Sequence, residues 1–365
     1  MDYKRQVRLE WGPAVLLGVI MVMLAYLVAS WIHSGDDVPL RSVIRLNTAA
    51  NREIQLSGSN VYYLEGGSLH CVTSGGKYVW NLGVDSDSQF TATPYGVAVW
   101  SRKKLTVVEP DTGHPLASKT MSDEVISAKV GDTYVAVVQG AQDNSDAVIM
   151  DHFGNVVDTL SDFTGYTVLD FGFFEGRELF WIMTLDSSGS VPSCKISTYI
   201  PGKRETGTIT DNEQVIYRVM FRSSYIAAVG TDYIRLYDYT GAEQPKQRVT
   251  VYGWYMDAVD QSTDNPLMLF VPNRQVEDKR ELSEVRMILG DEERIIHLPV
   301  KCKQLEASGN DLYGFSEDTL VKCPFGQKTP TAYKMPVLVD NVIGITADKT
   351  AVVTSGGAIY LIRVP

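Results

Sequence analysis

The residues of this sequence that could do chemistry are few and scattered along its 365 positions. A Ser-His-Asp triad assembles only in space, so histidine spacing alone identifies none. No Gly-x-Ser-x-Gly nucleophile motif accompanies the histidines. We therefore predict no catalytic residue and a protein that is not an enzyme. The five histidines are His33, His70, His114, His152 and His297.

The sequence does not indicate metal or nucleotide binding either. The acidic runs DSDSQ (residues 85–89) and GDEER (290–294) lack the twelve-residue calcium loop, with its central Gly and closing Glu. Solvated turn carboxylates are the simpler interpretation. Walker and dinucleotide-binding glycine motifs are also absent from the sequence. The prediction is no metal ligands, no cofactor-binding residues and no bound cofactor.

Composition excludes some classes of protein. With 44% hydrophobic and 21% charged residues, the chain can bury a sizeable core. The formal net charge of −11 argues against nucleic-acid binding, because neutralising phosphates needs a basic face.

An uncharged, apolar run predicts a membrane anchor over residues 12–33. Trp11 and Trp31 bracket this run and lie about 30 Å apart along a helix, close to the hydrocarbon thickness of a bilayer. Indole rings suit both interfaces. The lipid bilayer is therefore an expected partner, through residues 12–33.

Flanking charges set the expected orientation. Residues 1–11 contain Lys4, Arg5 and Arg8, whereas Asp36 and Asp37 follow the run. The positive-inside rule then predicts a cytoplasmic N-terminal tail, a linker over residues 34–40 and an extracytoplasmic C-terminal domain. We expect a single-pass type II protein of the bacterial cell membrane.

Two other interpretations of the N-terminus were weighed. A cleaved signal peptide has a shorter apolar core of roughly 7–15 residues, and Ala29-Ser30 offers only a weak cleavage site. A lipoprotein is disfavoured because the first cysteine is Cys71. The pattern favours the signal anchor.

A repeat of about forty residues fills the rest of the chain. Apolar, strand-like runs flank glycine-bearing turns, as in LTVVEPDTGHPLASK (residues 105–119), and a polar hairpin with a second apolar strand precedes each turn. Four strands in each repeat is the size of a propeller blade. The turn glycines are Gly76, Gly113, Gly154, Gly202, Gly241, Gly290 and Gly326.

Counting strands predicts an all-β, eight-bladed propeller over residues 41–365. Seven repeats carry four strands, but the last has only three before the chain ends at Pro365. The segment LRSVIRL (residues 40–46) can supply the missing outer strand and close the ring, which removes an exposed edge. Seven blades is the alternative, because the spacing of the turn glycines is irregular.

The strand assignment makes a prediction about the four cysteines. It places Cys302 on the first strand of blade 7 and Cys323 on the third, with Cα atoms about 9–10 Å apart. That separation exceeds the limit of about 7 Å for a disulfide. Cys71 and Cys194 fall in other blades, so we predict four free, buried thiols.

Three irregular insertions predict an interaction surface. They are residues 272–284, 139–146 and 186–193, each expected between the second and third strands of its blade. They should therefore emerge on one face of the disc. Loops collected on one face are common binding sites.

The motifs VTSGGKYVWNL and VVEPDTGHPLAS resemble the repeats of quinoprotein-type (PQQ-like) propellers, which carry Asp-x-x-Thr-Gly and a Trp on the fourth strand. In the quoted repeats that Trp appears once, as Trp80. WD40 propellers are a poorer match, because no Trp-Asp dipeptide occurs. The anchor and divergent propeller also resemble an uncharacterised family of membrane-anchored bacterial propeller proteins.

The resemblance implies two functions. Some quinoprotein-like propellers are dehydrogenases that hold pyrroloquinoline quinone and calcium in the axial channel. Others are scaffolds, including the propeller lipoprotein of outer-membrane barrel assembly. Adjacent cysteines and long cofactor-covering loops are missing here, which favours a scaffold or subunit of a cell-envelope complex with a protein partner on one propeller face. The alternatives are a quinoprotein-like oxidoreductase and an extracytoplasmic ligand- or glycan-sensing module.

Overall fold

The computed structural model describes most of the chain beyond residue 39. The described residues are Met21, Met23, Leu40, 42–49, 53–141, 144–161, 163, 165–174, 178–190, 192–274 and 281–365. The predicted tail lies outside them, as do the predicted anchor apart from the two methionines and the linker apart from Leu40. Within the described part of the chain, no helix is long and apolar enough to cross a membrane.

In the described part of the chain, 32 strands form eight four-stranded antiparallel sheets. The first strand in the chain, β1 (Val43–Ala49), belongs to the last sheet. Blades 1 to 4 follow in order. They consist of β2 (Ile54–Ser57), β3 (Asn60–Glu65), β4 (Ser68–Thr73) and β5 (Tyr78–Gly83); β6 (Gln89–Thr93), β7 (Gly96–Ser101), β8 (Lys104–Val108) and β9 (Pro115–Thr120); β10 (Val125–Val130), β11 (Tyr134–Ala141), β12 (Asn144–Asp151) and β13 (Val156–Leu160); and β14 (Thr167–Phe173), β15 (Phe180–Asp186), β16 (Ser193–Ile200) and β17 (Arg204–Asp211).

Blades 5 to 8 complete the ring, and a short 3-10 helix (Pro245–Gln247) lies in blade 5. They consist of β18 (Ile216–Phe221), β19 (Ile226–Gly230), β20 (Tyr233–Tyr237) and β21 (Val249–Thr250); β22 (Trp254–Val259), β23 (Met268–Pro272), β24 (Leu282–Leu289) and β25 (Glu292–Cys302); β26 (Gln304–Ser308), β27 (Asp311–Phe315), β28 (Thr319–Pro324) and β29 (Thr331–Lys334); and β30 (Asn341–Ile345), β31 (Thr350–Ser355), β32 (Ala358–Arg363) and β1.

The N-terminal strand closes the last blade, as the sequence predicts. β1 pairs antiparallel with β32, with Val43 opposite Ile362 and Leu46 opposite Ile359. This pairing confirms eight blades over seven. The strand begins and ends three residues later than the predicted segment 40–46.

An apolar cluster fills each of the eight interfaces between neighbouring blades. The cluster between blades 1 and 2, for example, joins Leu69 and Trp80 to Phe90 and Val97. Leu46 of β1 packs with residues of blade 1 and blade 8, so the closing strand also seals the last interface. Burial of this apolar surface holds the ring together.

Antiparallel pairing gives the disc two distinct faces. We call the face with the turns between first and second strands, and between third and fourth strands, the turn face. The opposite face, with the loops between second and third strands and the connections between blades, is the loop face. Six of the seven predicted turn glycines adopt positive φ, from 59° to 86°, and Gly326 does not.

The structure corrects one of the predicted insertions. All three lie between second and third strands, at the loop face, where β11 is joined to β12, β15 to β16 and β23 to β24. Residues 139–146, however, are not an irregular insertion, because β11 and β12 continue as a hairpin up to the pair Ala141 and Asn144. Gly140, with φ of 109°, stays paired with Ser145, because glycine tolerates this backbone geometry.

The position predicted for Cys302 is wrong. This residue ends β25, the long outer strand of blade 6, and pairs with Leu282. Because β25 continues almost directly into the next blade, with Lys303 alone before β26, the sequence pattern hides the boundary. Cys323 lies on β28, the third strand of blade 7, as predicted. All four cysteines are free and buried.

Candidate functional site

The first strand of each blade lines the axis of the ring, and those of blades 6, 7, 8, 1, 2 and 3 contact one another in that order. Five of them carry a β-bulge, in which one extra residue is inserted opposite the second strand. Bulges bend a strand and change the direction of its side chains. The inserted residues are Ile126, Leu169, Tyr217, Asp257 and Ile343.

A cavity of about 720 Å³, which we call the axial mouth, opens where the first strands of blades 2 to 6 end. Those ends lead into the turns between first and second strands, so the axial mouth lies on the turn face. The insertions at residues 186–193 and 272–284 lie on the opposite face. The sequence predicts the interaction surface at the insertions and does not predict this cavity.

An aromatic wall from blades 4 and 5 forms one side of the axial mouth. Phe174 lies 4.1 Å from Phe221 and 5.8 Å from Tyr239 between ring centroids, and Trp181 lies 5.0 Å from Phe221. Phe173 also lines the cavity. Phe174 and Trp181 are buried, whereas the other three rings are half-buried and can contact a ligand.

Two glycines make room for the aromatic rings. A Cβ atom at Gly131 would overlap the ring of Phe173, and one at Gly172 would lie 3.2 Å from Nε1 of Trp181. The run FGFF (residues 171–174), which ends the first strand of blade 4, is therefore the sequence signal that could have identified this wall.

Cationic side chains lie beside the aromatic wall. The guanidinium of Arg222, which is 7% exposed, donates through Nη1 to the carbonyl oxygens of Phe221 at 3.4 Å and Gln261 at 3.5 Å. Lys129 pairs with Asp170 (Nζ to Oδ1, 2.6 Å) and lies 5.3 Å from the ring centroid of Phe171.

Polar groups of blade 6 and of the blade 5 turn complete the rim. Asp264 accepts a hydrogen bond from the Ser223 amide at 3.2 Å through Oδ1, and Ser262 and Thr263 also line the cavity. The axial mouth therefore offers apolar rings next to hydrogen-bonding groups of both charges.

A second axial cavity, of about 460 Å³, lies against blades 1, 6, 7 and 8 and has an acidic wall. Glu306 accepts a hydrogen bond from Nε2 of Gln304 at 3.0 Å. Burial raises the pKa of Glu306 to about 7, and the nearby Asp257 carboxylate contributes in the same direction. Asp260 lines the same cavity.

Several polar side chains of the axial wall connect neighbouring first strands. Gln55 of blade 1 donates to the Phe90 carbonyl at 2.7 Å and accepts from the Ala92 amide at 3.0 Å. Gln304 of blade 7 donates to the Val342 carbonyl at 2.8 Å in the same way. These amides take the place of strand pairing between blades, so their role is structural.

The structure does not assemble the candidate catalytic residues into a site. His70, His114, His152 and His297 lie in blades 1, 2, 3 and 6, and His33 lies outside the described residues. His70 stacks on Tyr63 with 5.1 Å between ring centroids, and His152 contacts the Gly131 carbonyl at 2.9 Å. Both of these contacts are structural.

The two acidic runs make ion pairs with neighbouring cations. Asp85 lies 3.9 Å from Lys104 and Asp87 lies 3.5 Å from Arg102, and Glu293 pairs with Arg286. Among the described residues, no group of three or more His, Cys, Asp or Glu side chains is placed to hold a metal ion.

Eight four-stranded blades around an axial cavity make this chain an eight-bladed β-propeller. No family model and no curated protein matches its sequence. Its structure is similar to that of BamB from Moraxella catarrhalis, with a TM-score of 0.56 and 11% identity over 90% of this chain and 100% of that chain.

Two further solved structures are also similar to this chain. Sqt1 from Saccharomyces cerevisiae gives a TM-score of 0.60 and 11% identity over 90% of this chain and 100% of that chain. AztD from Citrobacter koseri gives a TM-score of 0.51 and 11% identity, over 79% of this chain and 87% of that chain. At this level of identity the likeness concerns the fold. It confirms the propeller expected from the resemblance to quinoprotein-type repeats.

Proposed function

We propose that the protein is a non-enzymatic, membrane-anchored scaffold that binds a protein partner in a bacterial cell-envelope complex. The single observation that supports this role best is the axial mouth. It is an open cavity of about 720 Å³ with an aromatic wall beside cationic and hydroxyl groups. Aromatic residues and arginine dominate the energetics of protein interfaces.

The chemistry of the reactive groups also favours binding over catalysis. Burial raises the pKa of the Cys302 thiol to about 12 and that of Cys71 to about 11, so neither forms the nucleophilic thiolate at neutral pH. Burial raises the pKa values of Cys194 and Cys323 as well. The four thiols are structural members of the apolar core.

Location at the bacterial cell membrane is part of the same proposal. It rests on the apolar run at residues 12–33 and on the charges that flank it. In this arrangement residues 1–11 are cytoplasmic and the propeller is extracytoplasmic. The anchor would confine the propeller to the membrane surface and so raise its local concentration toward a partner in the same membrane.

A quinoprotein-like oxidoreductase would need calcium and quinone ligands at the acidic wall of the second axial cavity, and the residues of that wall do not fit them. Hard cations take six to eight oxygen ligands, largely ionised carboxylates. Glu306 accepts a hydrogen bond from Gln304 and Asp257 accepts one from the Leu305 amide at 3.3 Å, and among the described residues no group of three or more His, Cys, Asp or Glu side chains is placed to hold a metal ion. We therefore assign no redox chemistry to this wall.

One specific observation favours a second candidate function, a ligand-sensing module. Phe173, Phe221 and Tyr239 cluster at one face, as a module that binds aromatic or glycan ligands requires. Phe221 and Tyr239 are tilted against the buried ring of Phe174, by 60° and 46°, and charged groups such as Arg222 and Asp264 line the same cavity. The scaffold is the better-supported function.

Chemical cross-linking in intact cells tests the scaffold. The full chain is then solubilised in detergent, captured by an affinity tag and examined by mass spectrometry. We expect an envelope protein in stoichiometric amount, with cross-links that map to one propeller face. Recovery of the propeller alone, at native expression and with cross-linkers of several lengths, would contradict the scaffold and favour the ligand-sensing module.

A further inference from the structure

The N-terminal strand enters the ring on the turn face. β32 is the third strand of blade 8, so it runs from the loop face to the turn face. Because β1 is antiparallel to β32 and Val43 lies opposite Ile362, β1 begins at the turn face. The Ser42 carbonyl accepts a hydrogen bond from the Arg363 amide at 3.1 Å, and Leu40 packs on the cluster between blades 7 and 8. The preceding chain therefore joins the propeller at that face.

The axial mouth lies on this same face. Residues 34–39 reach at most about 20 Å when fully extended, at roughly 3.3–3.6 Å per residue. With residues 12–33 in a bilayer, that reach keeps the blade 8 edge of the turn face near the membrane surface. The loop face then points away from the membrane. A group that enters the axial mouth would come from the membrane side.

The cavity also defines the chemistry of what it can bind. Half-buried Phe173, Phe221 and Tyr239 offer apolar ring surface to an aromatic or aliphatic side chain. Arg222 presents planar donors that match a carboxylate. Ser262 and Thr263, on the adjacent turn of blade 6, can hydrogen-bond a peptide backbone. Asp264 lies on that same turn, where its Oδ1 accepts from the Ser223 amide.

We propose that the axial mouth binds a membrane-proximal, extracytoplasmic segment of an integral membrane protein. In this complex a large apolar side chain packs on the aromatic wall and an adjacent carboxylate pairs with Arg222. The proposal rests on the scaffold function and names the kind of partner. A cavity of about 720 Å³ lies in the range of roughly 300–1,000 Å³ that holds small ligands, so a short peptide stretch fits and a folded domain does not.

Site-specific photo-cross-linking in cells that express the full chain tests the proposal. A photoreactive amino acid replaces Ser223, which is exposed and lines the axial mouth, or, as the matched control, Ser187, which is exposed on the loop face. We expect a discrete protein adduct from position 223 that maps next to a transmembrane span of the partner. Position 187 should give none.

A synthetic peptide with the cross-linked sequence is then titrated against the purified full chain in detergent. Arg222→Gln should weaken its binding by about tenfold or more, because a charge-assisted hydrogen bond is lost. Ser262→Trp, which blocks the cavity without removing core contacts, should abolish binding. Ser187→Trp places the same bulk on the loop face and should leave binding unchanged.

The outcomes separate this proposal from the scaffold function. Protein adducts from position 187 alone would overturn the binding site in the axial mouth and leave the scaffold intact. A lipid adduct at position 223 would show that the axial mouth binds a lipid and not a peptide segment, which would overturn the proposal. Failure of both positions to capture any protein would overturn the binding site in the axial mouth, and the scaffold itself would be contradicted only if chemical cross-linking in intact cells also recovered the propeller alone. Equal peptide affinity for the native chain and Ser262→Trp would also overturn the proposal.

Discussion

The indole ring of Trp80 lies directly against Gly113. A Cβ atom on Gly113 would lie 2.5 Å from Cδ2 of Trp80, and the indole Nε1 donates to the Pro110 carbonyl at 2.8 Å. Trp80 belongs to the outer strand of blade 1, and Gly113 to the turn between the third and fourth strands of blade 2. The Asp-x-x-Thr-Gly turn and the tryptophan of the preceding repeat are therefore two halves of one contact between blades.

Other blades make this contact with smaller partners. A Cβ atom at Gly76 would lie 2.8 Å from Ile44, and one at Gly202 would lie 3.2 Å from Val157. In each case the turn glycine of one blade covers the outer strand of the preceding blade. Blade-to-blade packing therefore requires glycine at these turns, while the partner residue varies. This explains why tryptophan is missing from the other repeats and why the resemblance is weak within each blade.

Gly113→Ala should destabilise the propeller by about 2–3 kcal/mol, because it strains a backbone with φ of 73° and displaces the ring of Trp80. Chemical denaturation of the full chain in detergent measures this change. Gly326→Ala is the matched control at the equivalent turn of blade 7. It has no positive φ and no atom within 4 Å of the new Cβ, so its effect should stay within about 0.5 kcal/mol. Equal effects of the two substitutions would contradict the contact.

Ring closure by β1 depends on Leu46. This side chain is 6% exposed and packs between blades 8 and 1. Leu46→Asp buries an unpaired carboxylate there and should cost about 3 kcal/mol or more.

Hydrogen exchange at the amides of β31 and β32 measures the loss of closure, and we expect faster exchange there than in blades 3 and 4. Arg45→Asp introduces the same carboxylate at the neighbouring exposed position. It should leave the exchange of β31 and β32 near that of the native chain. If the amides of β31 and β32 exchange no faster than those of blades 3 and 4 in either variant, ring closure does not depend on the burial of Leu46.

Glu306 should make stability depend on pH. Its pKa of about 7 in the folded chain exceeds the ordinary value of 4.5, so the folded state holds the proton more tightly than the unfolded state. Its contribution to the free energy of unfolding is therefore fully present below pH 4.5. That contribution is lost as the pH rises to about 7, and amounts to at most about 3 kcal/mol.

Glu306→Gln removes this titration and keeps a group that Gln304 can hydrogen-bond. Thermal denaturation at pH 5 and pH 8 should show the variant stabilised relative to the native chain at pH 8 only. Glu317→Gln, at an exposed carboxylate that pairs with Lys303, is the control and should not change the pH profile. If the native chain and Glu306→Gln differ in thermal stability by the same amount at pH 5 and at pH 8, the folded chain does not hold a proton on Glu306.

Sequence analysis predicted the blades well because local signals define them. Glycines with positive φ mark the turns and alternating apolar residues mark the strands, so each strand pair can be recognised without tertiary information. The closing strand was predicted by counting, since a blade with three strands leaves an exposed edge. Cys302 was misplaced because β25 and β26 are separated by one residue, and no turn signal marks the boundary.

The axial mouth could not be predicted in the same way. Its walls combine Tyr95, Trp181 and Arg222 from three different blades, and only the closed ring brings them together. The β-bulges in the first strands also change which side chains face the axis, and a period of two residues does not reveal them. The blades of a propeller can thus be predicted from its sequence, whereas its binding surfaces can be located only in the folded structure.

Arg235 anchors a buried ionic network at the interface of blades 4 and 5. It is 5% exposed and lies 3.4 Å from Asp211 and 3.9 Å from Glu243, and it also pairs with Glu213. Arg235→Leu leaves the buried Asp211 without its cation, which should cost about 3–5 kcal/mol. Arg102→Leu removes an exposed pair with Asp87 and should cost less than about 1 kcal/mol. If chemical denaturation shows that both substitutions lower the free energy of unfolding by similar amounts, the buried network stabilises the fold no more than an exposed ion pair does.

The four thiols report on the strand assignment. All are free and fully buried, and burial raises their pKa values, so Ellman's reagent should detect almost none in the native full chain at pH 8. In guanidinium chloride without reductant it should detect all four. Rapid reaction of a thiol in the native state would show that the blade interfaces open. Fewer than four thiols after denaturation would reveal a disulfide, which would contradict the positions of Cys302 on β25 and Cys323 on β28.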